Sequence, residues 1–184
     1  VYGLRIASLP EMGGQVAVSD KFLRKVAHTA KLLLQQNAAG INKEDQDRAI
    51  EGMESTNVLQ IVVSNSFPSY SPSLENNSNL NNLRDKYDNI DVVGELVSQK
   101  NEEDFGDSQT TEVIEHLLHT YTHFLLPSAF PEQFNLNEKK GLLFNALNEA
   151  IDNGVYDPSD YSEISKEDFQ YERTLMTEYL YDLF

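Results

Sequence analysis

The segment "TEVIEHLLHTYTHFLL", Thr111 to Leu126, constrains this chain more than any other, because it separates into two chemically distinct faces at helical spacing. At about 100° per residue, Val113, Ile114, Leu117, Leu118, Tyr121, Phe124 and Leu125 share one broad arc. Glu112, Glu115, His116, His119 and His123 share another. An amphipathic helix of this kind must lay its apolar arc on a core, so the fold has to be built around it. The opposite arc is unusual for a surface, since it carries only groups that bind metals or move protons. Residues four apart stack one above the other, so His119 and His123 can aim both rings at one ion, with Glu115 one turn earlier.

What such an ion could be held by is limited by composition. The 184 residues include no cysteine, which excludes thiolate zinc, iron–sulfur clusters and disulfides and leaves His, Asp and Glu as ligands. Thirty acidic against 14 basic residues give a net charge of −16, which repels phosphate backbones and anionic head groups, so no nucleic acid and no membrane partner is expected. The apolar runs, such as "NVLQIVVSN", fall well short of the roughly 20 residues a spanning helix needs. Oligomeric state leaves no trace in the pattern.

Along the chain the periodicity predicts an α+β fold, with a small sheet from the N-terminal half packed with helices and a mostly helical C-terminal half. "VYGLRIAS", "NVLQIVVSN" and "NIDVVGELVSQ" read as strands. "SDKFLRKVAHTAKLLLQQN" reads as an amphipathic helix capped by Ser19, and a short helix is expected through Ile50 and Met53. "NAAGINKED" has too few early acids for a calcium loop and reads as a turn. Residues 64–82, "SNSFPSYSPSLENNSNLNN", are rich in Ser, Asn and Pro and are expected to form a mobile surface loop, with a glycosylation sequon at Asn76 if the protein is secreted from a eukaryotic cell. "NLNEKKGLLFNALNEAIDNG" is a helix closed by Gly154, and "SKEDFQYERTLMTEYLYDLF" a helix started by Ser165. No repeat or composition shift divides residues 1–184, which are taken as one domain whose C-terminus lies inside a helix and is expected to be truncated.

"HTYTH" followed some fifty residues later by "TEYLYDLF" resembles the gluzincin metallopeptidases, in which two His on one helix and a Glu on a later helix bind zinc. The element order is similar to that of the anthrax lethal factor catalytic domain and of loosely characterised secreted relatives. The resemblance implies a zincin-like fold, a bound zinc, His119, His123 and Glu178 as its ligands, and Asp182 as a supporting carboxylate behind a ligating His. It also implies a peptide or protein substrate and a secreted or periplasmic location. The zincin motif places a general-base Glu directly after the first His, where this chain has Thr120, whose hydroxyl titrates too high to serve near neutral pH. Glu115 is the substitute base, with Glu112 a second candidate.

Another register is available, since "EVIEH" matches the inverted motif His-x-x-Glu-His with Glu112 in place of the first His. There Glu112 and His116 bind and Glu115 is the base, but His119 and His123 lose their role. His28, alone among apolar neighbours on the first long helix, is ordinarily a boundary residue and only secondarily a further ligand. Tyr156, Tyr161 and Tyr171 are candidates for an oxyanion donor, and sequence does not choose among them. Three functions therefore stand: a zinc metallohydrolase, a degenerate zincin-like scaffold, and a metal-binding protein without hydrolytic chemistry.

Overall fold

The structure is a computed structural model that describes residues 1–8, 17–35, 39–56, 58–64, 97–99, 107–165 and 169–183. Three strands, β1 (Arg5–Ser8), β2 (Leu59–Ser64) and β3 (Val97–Gln99), form a parallel sheet in the order β1-β2-β3. Helices α1 (Asp20–Leu33) and α2 (Lys43–Ser55) lie between β1 and β2 in the chain. After β3 come α3 (Asp107–Thr120), a π-helical turn (Tyr121–Leu125), the short α4 (Leu126–Ala129), α5 (Leu142–Asp152), a 3-10 turn (Pro158–Tyr161) and α6 (Phe169–Asp182). This is a mixed helix and sheet arrangement of the α+β kind, in which every described element after β3 is helical. Among the described residues no helix is long and apolar enough to cross a membrane.

Local chemistry accounts for most of these elements. Ser19 sits in extended backbone and its side chain accepts from the Phe22 N–H, while Asp20 and Lys31 complement the dipole of α1 at its two ends. Phe22, Val26 and Ala30, four residues apart, form the buried stripe of that helix. Asn42 caps α2 by accepting from the N–H groups of Glu44 and Asp45, so that helix runs 13 residues, longer than the short one expected. Helix α5 closes with the Val155 N–H on the Ala150 carbonyl, the Gly154 N–H on that of Ile151, and Gly154 at φ +68°. The central strand β2 is buried at Leu59, Gln60, Ile61 and Val62, as a parallel strand covered on both faces must be.

Three expectations meet a different outcome or fall outside what is described. Strand β1 begins at Arg5 rather than Val1, because Tyr2 and Gly3 have positive φ and turn the chain so that Leu4 donates to the Val1 carbonyl. A Cβ on Gly3 would lie 2.5 Å from Glu54 Cα, so this turn is pressed against α2. Of residues 64–82 only Ser64 is described, as the last residue of β2, and Asn76 lies outside the described residues. Ser165 is described, but residues 166–168 between it and α6 are not.

A further difference is in the histidine segment, which is not one continuous α-helix. At its C-terminal end the Leu126 N–H bonds the Tyr121 carbonyl, five residues back. Two local causes converge there. The hydroxyls of Thr120 and Thr122 bond back to the carbonyls of His116 and Leu118, loosening the ladder. Pro127 then offers no N–H to the preceding turn and crowds it.

Apolar burial falls into two clusters that meet at this segment. The first gathers Leu4, Val26, Met53, Val58, Val62, Val113, Leu117, Tyr121 and Leu125 from the sheet, α1, α2 and α3. The second gathers Leu143, Leu147, Tyr171, Leu175, Met176 and Leu180 from α5 and α6, with Leu136 from the connection before α5. Leu126 packs against both.

Tyr121 donates its hydroxyl to the Ala30 carbonyl at 3.0 Å inside the first cluster, and burial pushes that phenol well above its ordinary value. A raised folded pKa contributes stability that is complete below the unfolded value, near 10, and lost as pH climbs past it. Unfolding free energy measured by urea titration should therefore fall above about pH 10, and Tyr121→Phe should remove about 1.4 kcal/mol per pH unit from that slope. At neutral pH the same variant should cost about 0.5–1.5 kcal/mol for the lost hydrogen bond.

Candidate metal centre

The seam between the two clusters is where α3 meets α6. Burying Val113, Leu117 and Tyr121 on the sheet side turns Glu115 and His119, four residues apart, toward α6. Burying Leu175, Met176 and Leu180 fixes the rotation of α6 so that Glu178 and Tyr181 look back. One ligand atom from each of Glu115, His119 and Glu178 lies within 4.8 Å of the others.

His119 is buried, with 6% of its surface exposed, and its Nε2 lies 3.5 Å from Glu178 Oε2. A charge-assisted hydrogen bond between such groups is ordinarily about 2.7–2.9 Å, so this spacing is long for direct pairing. Two donor atoms each about 2.1 Å from a shared tetrahedral ion stand about 3.4 Å apart, and the separation fits that edge. The donor set, one imidazole and two carboxylates without sulfur, suits a divalent cation of intermediate hardness.

Aromatic groups enclose the cluster. The His116 ring stacks on His119 at 6.1 Å, and Tyr181 meets His119 edge-on at 5.9 Å. Tyr161, at the end of the 3-10 turn, hydrogen-bonds Glu178, and Tyr156 packs edge-on against Tyr179 at 5.4 Å. The Asp157 side chain holds that turn by accepting from the Ser159 N–H.

The electrostatics follow from this enclosure. The His119 ring facing it, as hydrogen-bond donor and then as charge, holds the Glu178 carboxyl below the usual range; the Tyr161 hydroxyl and His116 add to this, and burial opposes it. Burial first, then the Glu178 and Asp182 charges, push the Tyr161 phenol up to about 12. Tyr156 and Tyr181 are also raised, again chiefly by burial, with Tyr161 next in effect on Tyr156 and Glu115 next on Tyr181. All three phenols stay protonated at neutral pH and can donate.

The structure thus brings together Glu115, His119 and Glu178 and leaves the other candidates elsewhere. His123 is not part of the group; its Nε2 lies 2.9 Å from Thr177 Oγ1. The π-helical turn explains this departure from the helical wheel. A turn closed by bonds to the fifth residue takes more residues per revolution, so four residues fall short of a full turn where in an α-helix they overshoot it. His116 stands beside the group, its Nδ1 buried with no hydrogen-bond partner. Glu112 lies one turn before His116 and outside the group, as does His28, which is exposed on α1. Asp182 is exposed at the end of α6, where its charge reaches the hydroxyls of Tyr156, Tyr161 and Tyr181.

One feature of the site escaped the sequence reading, and another was left open by it. Tyr181 is three residues past Glu178 and therefore on the same helical face, a signal that was available. Tyr161 comes from a separate turn, and only the fold selects it over Tyr171, which is buried in the second cluster. Thr120, in the position of the zincin base, turns away from the site. Its hydroxyl lies 2.5 Å from Gln60 Oε1 on β2 and it is 3% exposed.

Comparison with known protein families, with characterised proteins and with solved structures gave no match for this chain.

Because Thr120 anchors α3 to the sheet, Thr120→Val should cost about 0.5–1.5 kcal/mol in chemical denaturation through loss of its buried hydrogen bond to Gln60. Thr120→Glu, which would restore the zincin motif, should destabilise the fold further by burying a carboxylate beside the Gln60 carbonyl. A Thr120→Glu protein as stable as the parent would show that this position faces open space instead.

Proposed function

We propose that this chain binds one divalent metal ion, zinc by its resemblance to the gluzincins, at the group formed by Glu115, His119 and Glu178, with His119 and Glu178 as ligands, and that it acts as a zincin-like metallohydrolase on peptides. The observation that carries the reading is the convergence of those three ligand atoms within 4.8 Å from two helices that are otherwise held by apolar packing. The element order supports it: a small sheet, a His-bearing helix, a loop, a further helix and a Glu-bearing helix follow one another as in the family resembled. A secreted or periplasmic location is part of the same reading.

When bound, the ion would supply Lewis-acid polarisation of a substrate carbonyl. The protein's own groups have separate tasks. Glu178 is held ionised chiefly by the facing His119 ring, whose N–H would give up its proton when an ion is taken up, so metal binding there would release a proton. Tyr181 limits rotation of the His119 ring from one side and His116 from another. Tyr161 keeps its proton and presents a donor at the edge of the site. Glu115 is the remaining carboxylate of the group and takes the proton-accepting task that Thr120 cannot perform. The net charge of −16 favours approach of cationic peptides over acidic ones.

A second reading is favoured by Thr120 itself. With its hydroxyl committed to Gln60, the usual base is missing for a structural reason, and a protein that keeps the ion for binding or scaffolding without turnover is consistent with that commitment.

Elemental analysis of the purified protein offered zinc should give about one ion per chain, lost in His119→Ala and in Glu178→Ala. Glu115→Gln separates the readings when a peptide library is assayed alongside. Retained zinc with turnover abolished makes Glu115 the base, whereas lost zinc makes it a ligand. A zinc-loaded parent that cleaves nothing in the library supports the binding role, and no uptake of zinc, manganese or iron overturns the metal centre.

A further inference from the structure

The hydrogen bonds at Thr177 say more about His123 than its distance from the cluster does. Thr177 is buried, 3% exposed, on α6, and its hydroxyl donates to the Arg173 carbonyl at 2.9 Å. A hydroxyl has one proton, and a carbonyl oxygen can only accept, so that proton is committed within α6. Toward His123 Nε2, 2.9 Å away, Thr177 can therefore only accept. In this arrangement the Nε2 atom of His123 carries the hydrogen, and a nitrogen that carries hydrogen has no lone pair for a metal.

Resting in part on the metal-centre reading above, we infer that His123 is a positioning residue: it ties the π-helical turn to α6 through Thr177 and so sets the rotation that presents Glu178 to His119. Thr177 immediately precedes Glu178, and neighbouring residues on an α-helix point about 100° apart. Fixing the direction of Thr177 therefore fixes the direction of Glu178. The π-helical turn has a task in this arrangement, because it delivers His123 to Thr177 instead of stacking it over His119. The gluzincin pattern assigns the second His to the ion; here the same residue acts through its neighbour.

Two measurements test the inference, one of them independent of metal. Long-range proton–nitrogen NMR of the ion-free protein should show His123 as the Nε2–H tautomer, and Thr177→Val, nearly isosteric and therefore expected to fold, should abolish that preference. Zinc competition titrations should then give a drop of about 10–100-fold in affinity for Thr177→Val and a similar drop for His123→Ala. The double variant should be no weaker than the weaker single one, and Thr177→Ser should restore binding, because both substitutions break one link. An Nδ1–H tautomer overturns the clamp. So does loss of zinc binding in His123→Ala with Thr177→Val unchanged, the result expected of a ligand. A parent that takes up no zinc removes the metal centre and with it the task assigned to Glu178, while the tautomer still decides whether the clamp exists.

Discussion

Everything specific about this molecule depends on one helix having to serve two cores. Val113 and Leu117 of α3 are fully buried against the sheet and its helices, while the other side of the same helix faces α6, whose own apolar residues belong to a separate cluster. Two clusters that each satisfy their own apolar surface leave a polar seam between them, and the groups on that seam are those neither core could absorb. Glu115, His119 and Glu178 are there for that reason. Their placement follows the packing of Leu117 on one side and of Leu175 and Met176 on the other.

The buried hydrogen bond from Thr120 to Gln60 shows how tightly the orientation of α3 is specified. Gln60 lies on the central strand, 2% exposed, in a position where a parallel sheet would ordinarily carry an aliphatic residue. A polar side chain there needs a partner, and Thr120 supplies it. The pairing works as a register mark, because rotating α3 by one residue would break it. It also has a chemical consequence, since the position that in a zincin carries the base is spent on holding the helix in place.

How much of this was legible in the sequence follows from which rules are local. Helix α1 could be read in full, because its cap at Ser19, its charges at both ends and its four-residue apolar spacing are all properties of neighbouring residues. The α+β division was legible for the same reason. Strand β1 was overextended, because the turn at Tyr2 and Gly3 depends on Glu54 of a later helix. The His119 and Glu178 pairing could be anticipated from the resemblance and Glu115 from the wheel, but the wheel assumes 100° at every step. The back-bonding hydroxyls of Thr120 and Thr122 together with Pro127 were the visible warning that the assumption fails after Thr120. Nothing local marks Tyr161, which reaches Glu178 only because the Asp157-capped turn packs on α6.

A chain with 30 acidic residues had no shortage of carboxylates for its surface, so it matters that two of them share a half-buried seam. Like charges within 4.8 Å repel by a few kcal/mol at an effective dielectric of about 20, and partial burial raises rather than lowers that cost. Packing alone gives no reason to keep both. The surroundings supply only incomplete relief: a His119 ring at 3.5 Å, a tyrosine hydroxyl on one carboxylate, and further negative charge at Asp182 nearby. A divalent cation held there, as proposed, would remove that repulsion. In the proposed metal-bound form the seam would be more stable than without an ion, which would link the fold to metal uptake by the same electrostatics that would make the site reactive.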